Sequence, residues 1–361
     1  MKYLFFLLIA CFIISKAQSQ YVGLTDKEVT TLKKLMANDD EVKNYVANFK
    51  KIADAVLHQA PNPIDTIVSE GHLATDPKKI ITTEALKDVN KIYALAISYK
   101  IYADASYLKK LSEFLVAWAT VNKPQGNPIN DTKFENLFAA YDLIRNQISI
   151  IERETIDKWL VQMANEEIRT AINKTKTTSF NNWHSHRLKI IGCIAYLLNI
   201  NDFKKYIDEA LPIQIEKNLL PDGSGFDFRE RDALHYHVYT LEPLIKVATV
   251  LKRATGKDYY NYTSLSGSSI GKSVNFLIPF ITGEKTHAEY VNSKVAFDKK
   301  RAANKEAGFE IGANFIPSYG LPVLFQAAYF NPLILATVKK AIDNNKKYPG
   351  WQVVLNMVYD N

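Results

Sequence analysis

Apolar residues recur at helical spacing along most of the chain, and this pattern limits the fold more than any other feature of the sequence. Between Glu84 and Ala103, apolar side chains fall three or four positions apart, which is the spacing of one helix face. The same pattern predicts further helices over 107–121, 132–148, 152–174, 184–199, 202–218, 238–254, 270–282 and 332–344. Thr83 and Asp131 stand where they could cap two of these helices. The sequence therefore predicts an all-α fold.

The segments between these helices are short and carry helix-breaking residues, notably at 122–128, 221–225 and 264–271. Alternating strand patterns are scarce before residue 300, and no linker divides the chain. Successive antiparallel helix pairs favour a single domain over 18–361. We expect an (α/α) toroid, an incomplete α/α barrel around a central cleft. Bundles and solenoids give the same local pattern, so periodicity alone leaves these architectures open.

The first seventeen residues have the features of a secretory signal peptide. Lys2 supplies a positive start, residues 4–14 are apolar, and small residues precede the expected cleavage after Ala17. The apolar run is too short to span a bilayer. We therefore expect an exported protein, either periplasmic or secreted, with no membrane span. A lipoprotein signal ending at Cys11 is the less favoured alternative.

The formal charge of the chain is +7, and Lys2 and Lys16 of the leader supply two of these charges. A modest positive excess suits an anionic ligand such as a polyuronate, a nucleic acid or an anionic lipid. Export argues against nucleic acid, and the sequence has no compact basic run with interleaved aromatic residues. Cys193, the one cysteine beyond the leader, has apolar neighbours that predict a buried thiol without a catalytic role.

Polar residues gather in two short segments, and each directly precedes an apolar helix. The first segment runs from Phe180 to Arg187, and the second runs from Arg229 to Tyr239. Donor groups at a helix start, together with the helix dipole, favour a bound anion. We expect the loops at 122–131, 176–183 and 221–231 to open on one cleft.

These side-chain types suit β-elimination in a uronic-acid polymer. The C5 proton beside an ionised carboxylate is very weakly acidic, so the carboxylate must be neutralised, and Asn182, His184 and Arg231 are suitable donors. A base must then take the C5 proton, and an acid must protonate O4. A tyrosine held near an arginine loses its proton more easily, and Tyr239 fits this role. One tyrosine can serve as both base and acid when the C5 proton and O4 lie on the same face of the sugar.

Ordinary structural roles could also explain the same residues. Asn181 or Asn182 could cap a helix, and His184 and His186 could be surface or core residues. Tyr236 and Tyr239 could pack in the core, and Arg229 and Arg231 could form surface ion pairs. The combination of amide, imidazole, guanidinium and phenol at two neighbouring helix starts favours a site.

The two segments resemble the all-α alginate lyases of the toroid class. Residues 181–185 are similar to the family's Asn-Asn-His-Ser motif, and residues 223–241 are similar to its Gly-Phe…Arg-Ala-Leu-x-Tyr-His-x-Tyr-x-Leu stretch. Residues 127–132 and 140–143 are similar to a further segment that lines the family's cleft. The resemblance covers about residues 85–255 and implies a polysaccharide lyase acting on alginate or on another polyuronate such as glucuronan.

The resemblance also implies residue roles. Asn182, His184 and Arg231 would surround the substrate carboxylate, and Tyr239 would be the base and acid. Further candidate substrate contacts are Asn130, Lys133, Asn181, Trp183, His186, Arg187, Arg229, Tyr236 and His237, with Arg301 added from outside the motifs. In two places the chain departs from the family. Trp183 stands where the family has its histidine, so His186 rivals His184. The arginine-to-tyrosine spacing is one residue longer, so Arg229 rivals Arg231.

Two other functions remain open from the sequence. One is a glycoside hydrolase on the same toroid, using two carboxylates chosen from Asp222, Asp227, Glu230 and Asp232. The other is a non-catalytic glycan-binding protein. A metalloenzyme is less favoured because no His-Glu-x-x-His motif occurs. We expect a monomer that acts on an anionic polysaccharide without a metal or other cofactor.

Overall fold

The computed structural model describes residues 20–171, 176–342 and 346–359, so the predicted signal peptide at 1–17 lies outside the described residues. The α-helices are α1 (Asp26–Asn38), α2 (Asp40–Val56), α3 (Pro77–Ala85), α4 (Lys87–Tyr102), α5 (Ala105–Val121), α6 (Pro128–Asp131), α7 (Glu135–Ile144), α8 (Ile150–Thr170), α9 (Asn182–Leu198), α10 (Asn201–Asn218), α11 (Phe226–Arg231), α12 (Leu234–Thr255), α13 (Ile270–Ile281), α14 (Ala296–Ala303), α15 (Leu321–Ala327), α16 (Ile334–Ala341) and α17 (Trp351–Val358). Short 3₁₀ helices lie at Thr132–Phe134, Thr177–Ser179 and Pro317–Gly320.

The structure confirms the all-α prediction. Within the described ranges, β pairing is limited to two isolated bridges, Leu219–Gly225 and Ala288–Asn314. The predicted helices correspond to α4, α5, α7, α8, α9, α10, α12, α13 and α16, with shifted ends. The predicted caps are wrong, because Thr83 lies inside α3 and Asp131 makes no capping hydrogen bond. None of the helices described is long and apolar enough to cross a membrane.

Helical periodicity does not identify α1, although the residues at its start form a recognisable capping motif. The Thr25 hydroxyl accepts a hydrogen bond from the Glu28 N–H at 3.1 Å, and the Glu28 carboxylate accepts one from the Thr25 N–H at 2.7 Å. This reciprocal pair is a capping box, and it satisfies two N–H groups that the helix itself cannot pair. The Thr-x-x-Glu pattern at 25–28 therefore identifies this helix start.

The helices form a curved double layer. Helices α4, α7, α9 and α12 follow one another side by side, and α2, α5, α8, α10 and α13 pack against their outer side. Helix α17 contacts both α1 and α15 and so connects the two ends of the chain. This arrangement is the incomplete (α/α) toroid that the sequence analysis favoured, in a single all-α domain.

Helix α9 lies deepest in this double layer, and every residue from Ser185 to Leu197 is buried. Gly192 permits its close approach to α12, because a Cβ at this position would lie 2.6 Å from Cγ2 of Val247. Cys193 is completely buried, as predicted from its apolar neighbours. The tight contact between α9 and α12 fixes the positions of the two polar segments, since each segment enters one of these helices.

Candidate active site

A cavity of about 350 Å³ opens at the end of the toroid where α7, α9 and α12 begin. We call it the main cavity. Its wall consists of Ser69, Glu70, Gly71, Lys79, Ile129, Lys133, Asn182, Trp183, Arg231, His235, Tyr236, Tyr239, Val295, Phe297, Arg301 and Phe309. Each of the segments 122–131, 176–183 and 221–231 contributes to this wall. The prediction that these three segments open on one cleft is therefore confirmed.

Tyr239 lies in the cavity wall, on the second turn of α12. Burial raises the pKa of Tyr239, and the neighbouring Tyr236 and Glu242 raise it further, whereas Arg301 lowers it. The net shift in this pKa is upward, so the expectation that an arginine makes Tyr239 lose its proton more easily is wrong for the enzyme without substrate. Once its proton is removed, a phenol with a raised pKa gives a strongly basic phenolate.

His186 lies behind Tyr239 and does not form part of the cavity wall, which corrects the predicted substrate contact. The two ring centroids are 4.3 Å apart, and Nδ1 of His186 lies 2.9 Å from the Thr132 hydroxyl. Nε2 is buried and has no hydrogen-bond partner in the described part of the chain. Burial, followed by Lys189 and Lys133, holds the pKa of His186 well below its usual range. A neutral imidazole thus packs against the Tyr239 ring and supports it.

The arginine expected beside Tyr239 instead contacts Tyr236. The Tyr236 oxygen accepts hydrogen bonds from Arg231 at 2.6 Å and from Arg301 at 2.9 Å, and the Arg231 guanidinium lies 3.8 Å from the Tyr236 ring centre. Arg231 also forms an ion pair with Asp298, which is almost fully buried. Burial raises the pKa of Tyr236, although Arg231 and Arg301 oppose this effect. Arg231 is therefore in the cavity as predicted, but its charge is shared with Asp298.

Asn182 occupies the first position of α9 and lines the main cavity. Its Nδ2 donates a hydrogen bond to Asp227 at 2.5 Å, and Asn218 donates to the other oxygen of the same carboxylate at 2.8 Å. Burial raises the pKa of Asp227, while the two amide donors oppose this effect. An asparagine amide has two N–H groups, so Asp227 fixes the side chain and leaves one N–H for a ligand.

Basic side chains outnumber acidic ones in the wall of the main cavity, although Arg231 pairs with Asp298 and Arg301 pairs with Glu306 from behind it. Its wall contains Lys79, Lys133, Arg231 and Arg301, against the single acidic side chain of Glu70. The Arg301 guanidinium lies between two phenylalanines, with its centre 4.6 Å from the Phe297 ring and 4.4 Å from the Phe309 ring. Burial and the neighbouring Lys189 lower the pKa of Lys133, although its side chain reaches solvent within the concave wall. Such a cavity favours a polyanion.

Trp183 lines the cavity, whereas His184 does not. Nδ1 of His184 lies 3.5 Å from Nη1 of Arg187. Burial, then Arg187 and Lys217, lower the pKa of His184 to about 3. The structure therefore corrects the prediction that His184 surrounds the substrate carboxylate. Successive side chains of an α-helix point about a hundred degrees apart around its axis. On the first turn of α9, the Trp183 side chain therefore faces the cavity and the His184 side chain does not.

Arg187 is also displaced from its predicted role. Its side chain is 3% exposed and pairs with the fully buried Glu167 at 3.1 Å, and it donates further hydrogen bonds to Thr178 and Thr170. Glu167 in turn faces Asp131, and one oxygen of each carboxyl is buried without a donor among the described residues. Burial raises the pKa of both carboxyl groups. A proton shared between Asp131 and Glu167 satisfies both oxygens, so Arg187 belongs to a buried structural cluster.

This cluster predicts that Asp131→Asn stabilises the protein at alkaline pH. A carboxyl whose folded-state pKa is raised keeps its proton in the fold, so stability is present at low pH and is lost as the pH rises through the folded-state pKa. The introduced amide replaces the shared proton and does not ionise. We expect a gain of about 1–2 kcal/mol in the free energy of unfolding at about pH 9 and little gain at about pH 4.

Denaturant unfolding at both pH values measures this effect. Asp157→Asn is the matched control, because it removes an ordinary ion pair with Arg145 at 2.6 Å and should lose stability at alkaline pH. An Asp131→Asn protein that is less stable than the parent at high pH would show that the two carboxyl groups do not share a proton.

Two more predicted substrate contacts lie outside the cavity wall. The Arg229 side chain is 58% exposed and pairs with Asp222 at 2.6 Å. His237 is completely buried, with Nε2 3.0 Å from the Ser273 carbonyl oxygen, and burial lowers its pKa to about 4. Both predictions are corrected. The choice between the two arginines falls on Arg231, since it is the one that lines the cavity.

Asn130 and Asn181 shape the cavity from behind its wall. The Asn181 side chain caps α9 by accepting a hydrogen bond from the Trp183 N–H at 3.0 Å. The Asn130 amide binds the segment 67–70, donating to the Ile67 carbonyl at 2.9 Å and accepting from the Ser69 hydroxyl at 2.7 Å. Neither side chain lines the cavity, so their predicted substrate contacts are replaced by structural ones.

The chain is similar to known proteins in both its sequence profile and its structure. The profile of the family described as alginate lyase matches residues 31–287. The chain belongs to the alginate lyase family. It is therefore a polysaccharide lyase. No curated protein sequence matches it.

Solved alginate lyases share the fold. An alginate lyase from Bacteroides ovatus superposes with a TM-score of 0.69 at 15% identity, over 95% of this chain and 99% of that one. Alginate lyase A1-III from Sphingomonas species A1 gives a TM-score of 0.57 at 19% identity, over 84% and 94% of the two chains. A Tyr→Phe variant of alginate lyase A1-III, complexed with a tetrasaccharide, gives 0.54 at 19% identity, over 72% and 77%.

In this alginate lyase family member, sequence reasoning missed several cavity residues. His235 lies four positions before Tyr239 on α12, and burial lowers its pKa to about 4, which leaves a neutral imidazole at the cavity wall. The i, i+4 spacing to Tyr239 was a readable signal for this histidine. Lys79 and Phe309 lie far from the motifs in sequence, and no local pattern identifies them.

The histidines of the two segments do not converge. His184 faces Arg187, His186 packs on Tyr239, and His237 binds the Ser273 carbonyl. Across the described ranges, no group of three or more histidine, cysteine, aspartate or glutamate residues is placed to hold a metal ion.

Proposed function

We propose that this enzyme cleaves alginate or a closely related polyuronate by β-elimination, with Tyr239 as base and acid. The observation that carries the proposal is that Tyr239 and Asn182 share a cavity with four basic side chains and one acidic side chain. A polymer with one carboxylate per sugar matches this charge pattern.

In the proposed reaction, Tyr239 moves a proton from C5 of the sugar to the departing O4, and the C4–O4 bond is cleaved. Tyr239 first loses its phenolic proton to solvent. Its phenolate takes the proton from C5, the C5–H electron pair forms the C4–C5 double bond, and the C4–O4 bond breaks. Where the C5 proton and O4 lie on the same face of the sugar, the Tyr239 hydroxyl then gives the same proton to the departing O4, which regenerates the phenolate. The products are a 4,5-unsaturated uronate and a new reducing end.

Charge develops on the substrate carboxylate as the C5 proton leaves. We assign its stabilisation to the free N–H of Asn182, which Asp227 holds in place, and to the positive potential of Arg231 and Arg301. His184 receives no part in this step, because it faces Arg187 outside the cavity. Trp183 instead forms part of the wall beside Asn182.

The hydrolase alternative lacks a pair of carboxylates in the cavity. Asp222 pairs with Arg229, Asp227 is buried beneath Asn182, and Glu230 pairs with Lys294. Asp232 accepts hydrogen bonds from Asn292. Since none of these four residues lines the cavity wall, two-carboxylate chemistry has no geometric support.

The test is to incubate the purified enzyme with polymannuronate, polyguluronate, glucuronan and a neutral polysaccharide, with a chelator present throughout. Ultraviolet absorbance from the unsaturated product should rise with at least one polyuronate and not with the neutral polymer. Reducing ends without absorbance would point to hydrolysis, and binding without either product would point to a glycan-binding protein. Activity that requires an added divalent ion would contradict the assignment to Asn182 and the arginines.

We also propose that the enzyme is exported, because residues 1–17 have the pattern of a cleavable leader. N-terminal sequencing of the protein from its native cells tests this proposal, with a start directly after Ala17 expected and an intact Met1 contradicting it.

A further inference from the structure

A second cavity, of about 330 Å³, lies beside the main cavity. We call it the second cavity, and Phe49, Asn90, Tyr93, Asn136, Lys246 and Trp351 are among its lining residues. Its volume lies within the range of small-molecule sites. The activity proposed above does not use it.

The two cavities adjoin along the start of α7. Lys133 lines the main cavity, while Glu135 and Asn136 line the second cavity. Lys133 lies in the 3₁₀ helix Thr132–Phe134, Asn136 lies in the first turn of α7 three positions later, and both side chains are exposed. The walls of the two cavities thus approach each other at these two residues.

An ion-pair network lies at the base of the second cavity, where Glu135 and Lys246 are the charged lining residues. Glu135 is held by two lysines, with Lys189 at 2.5 Å and Lys246 at 3.5 Å. One carboxylate thus serves two ammonium groups, and Lys246 is the more loosely held and lines the cavity. A carboxylate on a bound ligand would give the Lys246 ammonium group an ion-pair partner of its own.

Polar and aromatic groups surround this charge. Asn90 and Asn136 are exposed at the rim and joined by a single long hydrogen bond of 3.4 Å. Gln352 and the half-buried Trp351 also line the cavity, and the Trp351 indole donates to the Tyr93 hydroxyl at 2.9 Å. Amides and aromatic faces beside a cation are the groups that bind hydroxyls, sugar rings and carboxylates.

We propose that the second cavity binds further sugar residues of the same acidic polymer, with Lys246 facing one of their carboxylates. The inference rests on the proposed function, since it takes a polyuronate as the ligand. A long substrate then occupies both cavities, and a short substrate occupies the main cavity alone.

Binding measured without turnover tests this inference. Calorimetry on the Tyr239→Phe enzyme gives Kd for a disaccharide and an octasaccharide of the polymer that is cleaved, or of mannuronate where none is cleaved. In that background, Asn136→Asp and Gln352→Glu each place a negative charge in the wall of the second cavity. Asn201→Asp, at an exposed position of α10 that lines neither cavity, is the matched control.

We expect the octasaccharide to bind more tightly than the disaccharide. Each second-cavity variant should raise the Kd of the octasaccharide about tenfold and that of the disaccharide less, because the new charge repels a carboxylate. Asn201→Asp should leave both values unchanged. An octasaccharide Kd that neither variant alters, or no binding of any oligouronate, overturns the inference. Binding with these shifts but no unsaturated product from the parent enzyme contradicts the proposed reaction alone.

Discussion

Tyr239→Phe is expected to lower kcat by about a hundredfold to ten-thousandfold on every polyuronate that the enzyme cleaves. The change removes one oxygen and keeps the ring that packs on His186 at 4.3 Å, so the fold should be preserved. The loss is large because one hydroxyl takes the C5 proton and returns it to O4, and the Tyr236 oxygen, from the other phenol of the cavity wall, is bound to Arg231 and Arg301. Ultraviolet detection of the unsaturated product measures kcat, and circular dichroism with thermal unfolding confirms the fold.

Two further variants make this prediction specific. Tyr102→Phe removes an exposed phenol remote from the cavity and should leave kcat unchanged. Tyr236→Phe removes an acceptor for Arg231 and Arg301, so it should weaken substrate binding more than the proton transfer. If Tyr239→Phe keeps most of its activity while Tyr236→Phe loses it, then the tyrosine that directly contacts the arginines is the base.

Asn182→Ala is expected to lower kcat by about a hundredfold to a thousandfold, as the loss of one preorganised donor at a developing negative charge does in other enzymes. The effect should fall on kcat more than on KM, because the hydrogen bond strengthens as charge moves onto the substrate carboxylate. Loss of the donor also leaves Asp227 with Asn218 as its remaining amide partner. A moderate loss of stability is therefore expected beside the kinetic effect.

The neighbouring Asn181 provides a matched control for this prediction. Its side chain caps α9 and does not line the cavity, so Asn181→Ala should cost about 1 kcal/mol of stability with little change in kcat. Steady-state kinetics and denaturant unfolding of both variants separate the two roles. A large kcat loss in Asn181→Ala with normal kcat in Asn182→Ala would place the carboxylate site one residue earlier.

Features of the protein that depend on a local pattern of residues are predictable from the sequence. Helical periodicity predicted nine of the helices, and the two polar segments identified Asn182, Arg231 and Tyr239, which all lie in one cavity. It is harder to predict which side chains of a buried helix face the cavity. Helix α9 is buried on nearly every side, so no polar stripe marks the face toward the cavity. Successive residues turn by about a hundred degrees, and for this reason His184 and Arg187 were assigned to the wrong face.

The all-α class and the helix starts that carry the chemistry follow from local sequence, because both depend on residues a few positions apart. The partners of the site residues depend instead on the packing of distant helices. Packing brought Asp298 and Arg301 to Arg231 and Tyr236 across more than sixty residues of chain, and it brought Lys79 to the wall of the same cavity. It also placed Glu135 between Lys189 and Lys246 at the base of the second cavity. Such contacts depend on how distant helices meet, and a local pattern of residues does not encode them.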